Sequence, residues 1–223
     1  MRKALLVALF FVILFWPSTF AQQTYEPPEV TSAGDAWVPY VVVFDGLFVL
    51  DVRLSDEGVI ERIEPLRDPG YMLGTAKTSV RGWKFQSAAE GGKPKASRLT
   101  VVFLYRPPNQ GNATPVPPKD FVPVIPSDQS DDGIDYVPVG ISSFIYPDYP
   151  VNSIAWGSVV VQVTVDSTGE VKDVSFLHRM IGFDGLVLDA LKKWRLRAAT
   201  LRGKPVNSKI VIAFVFQTPP SSE

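Results

Sequence analysis

The chain contains no cysteine and a single histidine, His178. Without cysteine there are no disulfides, thiolate metal sites, cysteine nucleophile or lipid-modified N-terminal cysteine. One histidine leaves one candidate for any catalytic triad and forbids a two-histidine metal motif within the chain. An excess of either charge is also missing. With 22 Lys+Arg against 23 Asp+Glu the net charge is -1, so no global basic field favours nucleic acid or anionic lipid. The N-terminal apolar run is about thirteen residues, short of the roughly 20 that span a bilayer. These absences predict a protein that is not an enzyme and takes no cofactor, metal or small-molecule substrate.

What is present begins with an address. Met1-Arg2-Lys3 is positive, Ala4 to Trp16 is apolar, and Ser18-Thr19-Phe20-Ala21 follows Pro17 with small residues where a signal peptidase reads. Residues 1–21 are expected to be a signal peptide cleaved after Ala21, which makes the mature protein periplasmic or secreted. The alternative is an uncleaved segment anchored in the inner membrane.

The chain also aligns with itself, without a gap, at a shift of 111 residues: Pro39 meets Pro150, Gly46 Gly157, Gly58 Gly169, Gly74 Gly185 and Trp83 Trp194. Gly92-Lys93-Pro94 meets Gly203-Lys204-Pro205, Phe103 meets Phe214 and Pro108 meets Pro219. That is about fifteen identities in roughly seventy positions. Turn glycines, prolines and one Trp recur, whereas Asp166, Lys172, Asp173 and His178 meet Ser55, Glu61, Arg62 and Arg67. The repeated part is therefore a scaffold and not a reactive site. The expected organisation is an extension over 22–36, a first copy over 37–108, a proline-rich linker over 109–144 and a second copy over 145–220. The linker is expected to be extended, or else to wrap the surface as an ordered arm that buries Phe121, Val122, Val124 and Ile125.

In the second copy Val159, Val161, Val163 and Val165 alternate with Val160, Gln162 and Thr164, as in a strand. Asp166-Ser167-Thr168-Gly169 is a turn, Val171 to Phe176 the returning strand, and Asp184 a helix N-cap. Val187, Ala190, Leu191 and Trp194 fall on one helical face, with Lys192, Lys193 and Arg195 late in the helix. A last strand has Ile210, Ile212, Phe214 and Phe216 on one side and Val211, Ala213 and Val215 on the other. The fold class expected is α+β, two tandem β-β-α-β units, each a small antiparallel sheet with one helix on a face. Gly58, Gly169, Trp83, Trp194, Phe103 and Phe214 are the expected structural framework. Val160, Val211 and Val215, with Val49, Val102 and Leu104, make the second sheet face apolar as well. That face must be covered, by the two copies packing as an internal pseudo-dimer or by a partner.

The second copy resembles the C-terminal domain of TonB-family proteins. The resemblance rests on Tyr146-Pro147, Tyr149-Pro150, Gly157-Ser158-Val159-Val160-Val161, Val165-Asp166-Ser167-Thr168-Gly169-Glu170-Val171, Leu188-Asp189-Ala190-Leu191-Lys192-Lys193-Trp194, Gly203-Lys204-Pro205-Val206 and Phe214-Val215-Phe216. It implies an envelope protein-interaction module that binds a protein, such as an outer-membrane receptor or transporter, by strand addition. The docking edge it suggests is the last strand, with Lys209, Val211, Ala213, Val215 and Gln217, together with Tyr146 and Tyr149. The alternative is a structural or cell-wall-associated envelope protein without energy transduction. The family's Trp-Arg-Phe-x-Pro-Ala pattern stands here as Trp194-Arg195-Leu196-Arg197-Ala198-Ala199, and the N-terminal run carries no His. Pairing of the two copies within one chain, or a homodimer, is also open.

Other polar groups read as structure. His178 follows a strand end with no nucleophile near it in sequence, and Asp166, Asp173 and Asp184 fit a turn, a strand exit and a cap. The Asp128, Asp131, Asp132 and Asp135 run reads as solvated charge. Asn112-Ala113-Thr114 is a glycosylation tripeptide by coincidence. Lys192, Lys193, Arg195, Arg197 and Arg202 form a basic cluster that solvation and the helix dipole account for, with an acidic partner as the sharper alternative.

Overall fold

A computed structural model describes residues 24–36, 44–67, 72–106, 116, 119–127, 134–150, 153 and 155–217. The fold is α+β. In the first half the elements are β1 (Tyr25–Glu26), β2 (Glu29–Ser32), β3 (Gly46–Leu54), β4 (Ile60–Arg67), α1 (Leu73–Arg81), β5 (Lys84–Gln86), β6 (Ala88–Glu90), β7 (Lys93–Lys95) and β8 (Ser97–Arg106). The second half has β9 (Tyr136–Val137), β10 (Gly140–Ser143), β11 (Gly157–Val165), β12 (Val171–His178), α2 (Asp184–Leu191), β13 (Arg195–Arg197), β14 (Ala199–Leu201), β15 (Lys204–Val206) and β16 (Ser208–Phe216). Each element of the second half starts 111 residues after its counterpart in the first, as Gly157 follows Gly46 and Tyr136 follows Tyr25.

The long strands form one six-stranded sheet in the order β12-β11-β16-β8-β3-β4. Neighbours are antiparallel except at the centre, where β16 runs parallel to β8 with Ala213 opposite Phe103. The halves therefore join edge to edge instead of stacking face to face. Because the joining strands are equivalent and parallel, the halves present opposite faces, and each side of the sheet carries one helix. On one side Val187 and Leu191 of α2 pack with Trp194, Phe214 and Phe216, in a core that continues to Val49, Val102 and Leu104. On the other, Ala76 and Val80 of α1 pack with Trp83 and Phe103, in a core that continues to Val160, Val211 and Val215. All six of these second-face side chains are fully buried.

Their cover comes from the segments that precede each half. The first arm, residues 24–36, pairs with its own half through β1–β6 and β2–β5, yet lies over the other half's sheet. There Gln162 Oε1 accepts from the Val30 N–H at 2.8 Å and Ser158 Oγ accepts from the Ala36 N–H at 2.8 Å, while Lys209 pairs with Glu29. The second arm pairs with its half through β9–β14 and β10–β13 and lies over the first half's sheet. Thr100 Oγ1 donates to the Val139 carbonyl at 2.7 Å, and Arg106 Nε to the Pro147 carbonyl at 2.9 Å. Arg98 pairs with Asp51 and donates to the Ser127 carbonyl at 3.0 Å, so this buried charge is compensated on both sides. The arms cross and tie the halves together.

The linker expectation is corrected accordingly. Its described parts are an ordered arm, with Val124 buried, Phe121 half-buried, and Val122 and Ile125 exposed. Val124 exchanges backbone hydrogen bonds with Ile141 at 2.8 and 2.9 Å. Three short strands also stand between each helix and the last long strand, in addition to the β-β-α-β elements expected. Asp184 is the first helical residue, Phe183 being the N-cap, and its carboxylate pairs with Arg179 at 2.5 Å. The helix ends at Leu191, so Lys192, Lys193 and Arg195 lie beyond it, although Trp194 is still buried.

The framework residues lie in the core or in the turns that frame it. Gly58 and Gly169 take φ of +79° and +90°, and a Cβ on either would lie 2.7 Å from a backbone carbonyl, Phe85 O or Leu196 O. Both sign and space demand glycine. Trp194 donates its indole N–H to the Ile145 carbonyl at 2.9 Å, whereas the buried Trp83 Nε1 has no acceptor, Gly34 standing where Ile145 stands in the other half.

Candidate partner-binding edge

Strand addition needs a row of N–H and C=O groups with no strand beside them. The Lys209–Gln217 strand offers none. β16 lies between β11 and β8, so its backbone is paired on both sides and it is not a docking edge. Val211, Ala213 and Val215 are fully buried, Lys209 is half-buried against Glu29, and Gln217 Oε1 accepts from the Phe44 N–H at 2.9 Å. Tyr146 and Tyr149 are buried too. Tyr146 donates to Asp45 at 2.5 Å, Tyr149 donates to the Ala155 carbonyl at 2.5 Å, and burial pushes both hydroxyls above the usual phenol range. These are packing residues, and the partner-binding set expected from the sequence does not assemble as a surface.

The edges of the large sheet are β4 and β12, and they differ. β4 carries Pro65, which has no N–H to give, and ion pairs along it: Arg53 with Glu61 at 2.7 Å, and Arg62 with Glu64. Proline and charge are how proteins close an edge to further pairing. β12 has no proline, and Phe176 stands at the position that Pro65 holds, since Leu50 pairs with Pro65 as Val161 pairs with Phe176. Because β4 accommodates proline there, the N–H of residue 176 points away from the sheet. On the α2 side β12 presents Val174 and Phe176, both half-buried, and on the arm side Asp173 and Ser175, both exposed.

The ends of this edge are held. At its start Asp166 Oδ1 accepts from the Thr168 hydroxyl at 2.6 Å and from the N–H groups of Thr168 and Glu170 at 2.8 and 3.0 Å. The Thr168 hydroxyl and the Lys172 ammonium hold the Asp166 carboxyl well below the usual carboxylate range. At its finish the Arg179 guanidinium lies 4.1 Å from the Phe176 ring centroid and pairs with Asp184.

His178 Nε2 is 3.9 Å from Asp35, a contact between β12 and the first arm, and among the described residues no cluster of His, Asp and Glu could hold a metal. Of the basic cluster, Lys192 pairs with Asp189 at 2.8 Å, Arg202 pairs across the halves with Glu90, and Arg195 donates to the Trp194 carbonyl at 3.1 Å. The Asn112 tripeptide, Asp128, Asp131 and Asp132 and the signal segment lie outside the described residues. Among the described residues no helix is long and apolar enough to cross a membrane.

Residues 144–218 match the family model described as the Gram-negative bacterial TonB protein C-terminal. The match covers the last third of the chain, from Phe144 in the second arm through β16. No curated protein matches the chain.

Proposed function

We propose that this protein is a non-catalytic interaction module of the cell envelope, built from two TonB C-terminal-like units fused edge to edge as an internal pseudo-dimer, and that it captures a protein partner by strand addition at β12. Export by the N-terminal segment, periplasmic residence and a link to outer-membrane transport belong to the same reading. The observation that carries it is the contrast between the sheet's two edges, β4 closed by Pro65 and ion pairs and β12 open. The first unit's β8 occupies the outer side of β16, so the strand that the resemblance suggests for docking is consumed within the chain. A structural envelope role without energy transduction is the second reading, favoured by the crossed arms, which tie each half to the other.

Photo-crosslinking in the envelope tests the proposal. A photoreactive residue at Ser175 is expected to trap a discrete protein, the same residue at Glu64 on the closed edge to trap none, and Phe176→Pro to abolish the Ser175 product. Equal trapping from both edges, or a product indifferent to Phe176→Pro, refutes strand addition at β12.

A further inference from the structure

Where the two arms and the two halves meet, the described residues enclose a cavity of about 290 Å³. Tyr25 and Tyr136, equivalent residues 111 positions apart, stand in its wall with ring centroids 5.5 Å apart, so the cavity lies against the axis that relates the halves. Its charged lining residues are Arg53, Glu90, Lys95, Asp135 and Arg202, and at the shift of 111 these meet Thr164, Leu201, Val206, Thr24 and Gly91. None of the five is copied, whereas the two tyrosines match, as do Ala88 with Ala199 and Ser97 with Ser208. The walls are common to both halves and the charges are particular to this cavity. One of them is held at a cost. Arg202 has φ +50°, the only positive value among the described non-glycine residues, where the equivalent Gly91 takes +60°. Left-handed backbone is free for glycine and unfavourable for arginine, and strain of this kind collects at functional sites. From that turn Arg202 pairs with Glu90 of the other half, and its guanidinium, with the Lys95 charge added, holds the Glu90 carboxyl below the usual carboxylate range. Arg53 is taken by Glu61 at 2.7 Å. Two lining charges of opposite sign remain. The Lys95 ammonium, on the first half, and the Asp135 carboxylate, on the second arm, are exposed and act on Glu90 and Arg202 through space, but neither makes a hydrogen bond or ion pair among the described residues.

We propose that this cavity binds a small zwitterion, a free amino acid or a dipeptide, whose carboxylate meets Lys95 and whose ammonium meets Asp135, beside the paired tyrosine rings. A ligand carrying one charge leaves the other wall unanswered: an anion faces Asp135, and a cation faces Lys95. With both ends charged, each wall gains a charge-assisted hydrogen bond. At about 290 Å³ the cavity stands at the lower end of ligand pockets, roughly 300–1,000 Å³, which limits the occupant to about a dipeptide. Because Lys95 belongs to the first half and Asp135 to the arm that covers it, the ligand also fastens that arm in place. None of the lining residues belongs to β12, so the site is independent of the docking edge.

Calorimetry on the full chain with alanine and alanyl-alanine, each in every stereoisomer, is the test. The controls lack one charge without added bulk: propionate and propionyl-alanine lack the ammonium, ethylamine and alanine ethylamide lack the carboxylate. At least one zwitterion is expected to bind about tenfold more tightly than either of its controls. Lys95→Gln and Asp135→Asn are each expected to weaken it about tenfold, while thermal unfolding of the free chain stays that of the parent, since both side chains are exposed and without a bonded partner. The loss with Asp135→Asn is expected only for ligands carrying the ammonium, and the loss with Lys95→Gln only for those carrying the carboxylate. Propionyl-alanine or propionate binding as tightly as its parent makes this an anion site, and equal binding of the ethylamide or of ethylamine makes it a cation site; either overturns the proposal. So does failure of every zwitterion to bind at about 10 mM, or binding that neither substitution weakens.

Discussion

Two proline substitutions separate an open edge from an interior strand. At Phe176 the proline copies what β4 already has, so no ladder hydrogen bond is lost and the cost is that of the half-buried ring and its contact with Arg179. That is about 1–2 kcal/mol. Phe176→Ala loses the same ring and keeps the N–H, so the two variants should melt within about 2 °C of one another. At Ala213 either direction of the N–H meets a paired neighbour, Val160 on β11 or Phe103 on β8. Proline there removes a ladder bond worth about 0.5–1.5 kcal/mol and orphans a buried carbonyl at about 1–3 more. At about 2–4 °C per kcal/mol for a chain of this size, the expected loss is roughly 3–18 °C, or failure to fold. Thermal unfolding followed by circular dichroism decides. Phe176→Pro melting more than about 4 °C below Phe176→Ala would mean that the 176 N–H points inward, and a tolerated Ala213→Pro would mean that β16 is an edge after all.

Three further outcomes follow from the packing. Gly169→Ala, forced to φ +90° with its Cβ 2.7 Å from the Leu196 carbonyl, should cost about 1–3 kcal/mol in urea unfolding, and Gly58→Ala should do the same in the first half; a neutral result at both would discredit the turn geometry. Trp194→Phe strands the Ile145 carbonyl and should destabilise by about 1 kcal/mol more than Trp83→Phe, whose indole N–H has no acceptor; equal losses would count against that asymmetry. Burial, opposed by the Ser208 hydroxyl, pushes Tyr136 up to about 12, and burial also raises Tyr25, Tyr105 and Tyr146. A folded pKa above the unfolded value near 10 means this stability is complete below about pH 10 and lost on passing toward about pH 12. The urea midpoint should thus be level from pH 8 to 9.5 and fall steeply above about 10, and a flat profile to pH 11.5 would contradict the burial.

How much of this was legible in the sequence depends on the range over which each signal acts. Alternation is local, so the strands of Val159–Val165 and Ile210–Phe216 and the faces they bury could be read directly. What lies beside a strand is not local, and the docking edge was misplaced for that reason. The correct signal was nonetheless present: Val211, Ala213 and Val215 opposite Ile210, Ile212 and Phe214 is a strand apolar on both faces, the mark of an interior position. Lys172, Asp173 and Ser175 in β12 are the polar pattern of an edge. The arms could not be read from periodicity, because strands of two to four residues have none. Their signature is Tyr25 with Tyr136, Pro27 with Pro138 and Ser32 with Ser143, identities at the same 111-residue shift that continue upstream of Pro39. The helix end was read too late because Lys192 and Lys193 are good helix formers, while the chain turns there to bury Trp194 against Phe144 and Phe214.

Amide hydrogen exchange, resolved by residue in the full chain, tests the central arrangement most directly. Slow exchange is expected for successive amides of Val211–Phe216 and Val101–Tyr105, which are paired with strands on both sides, with fast exchange at Phe176 on the outward side of β12. Fast exchange at every second amide along Val211–Phe216, together with protection at Phe176, would mean that β16 is free and β12 is covered, and would contradict the account.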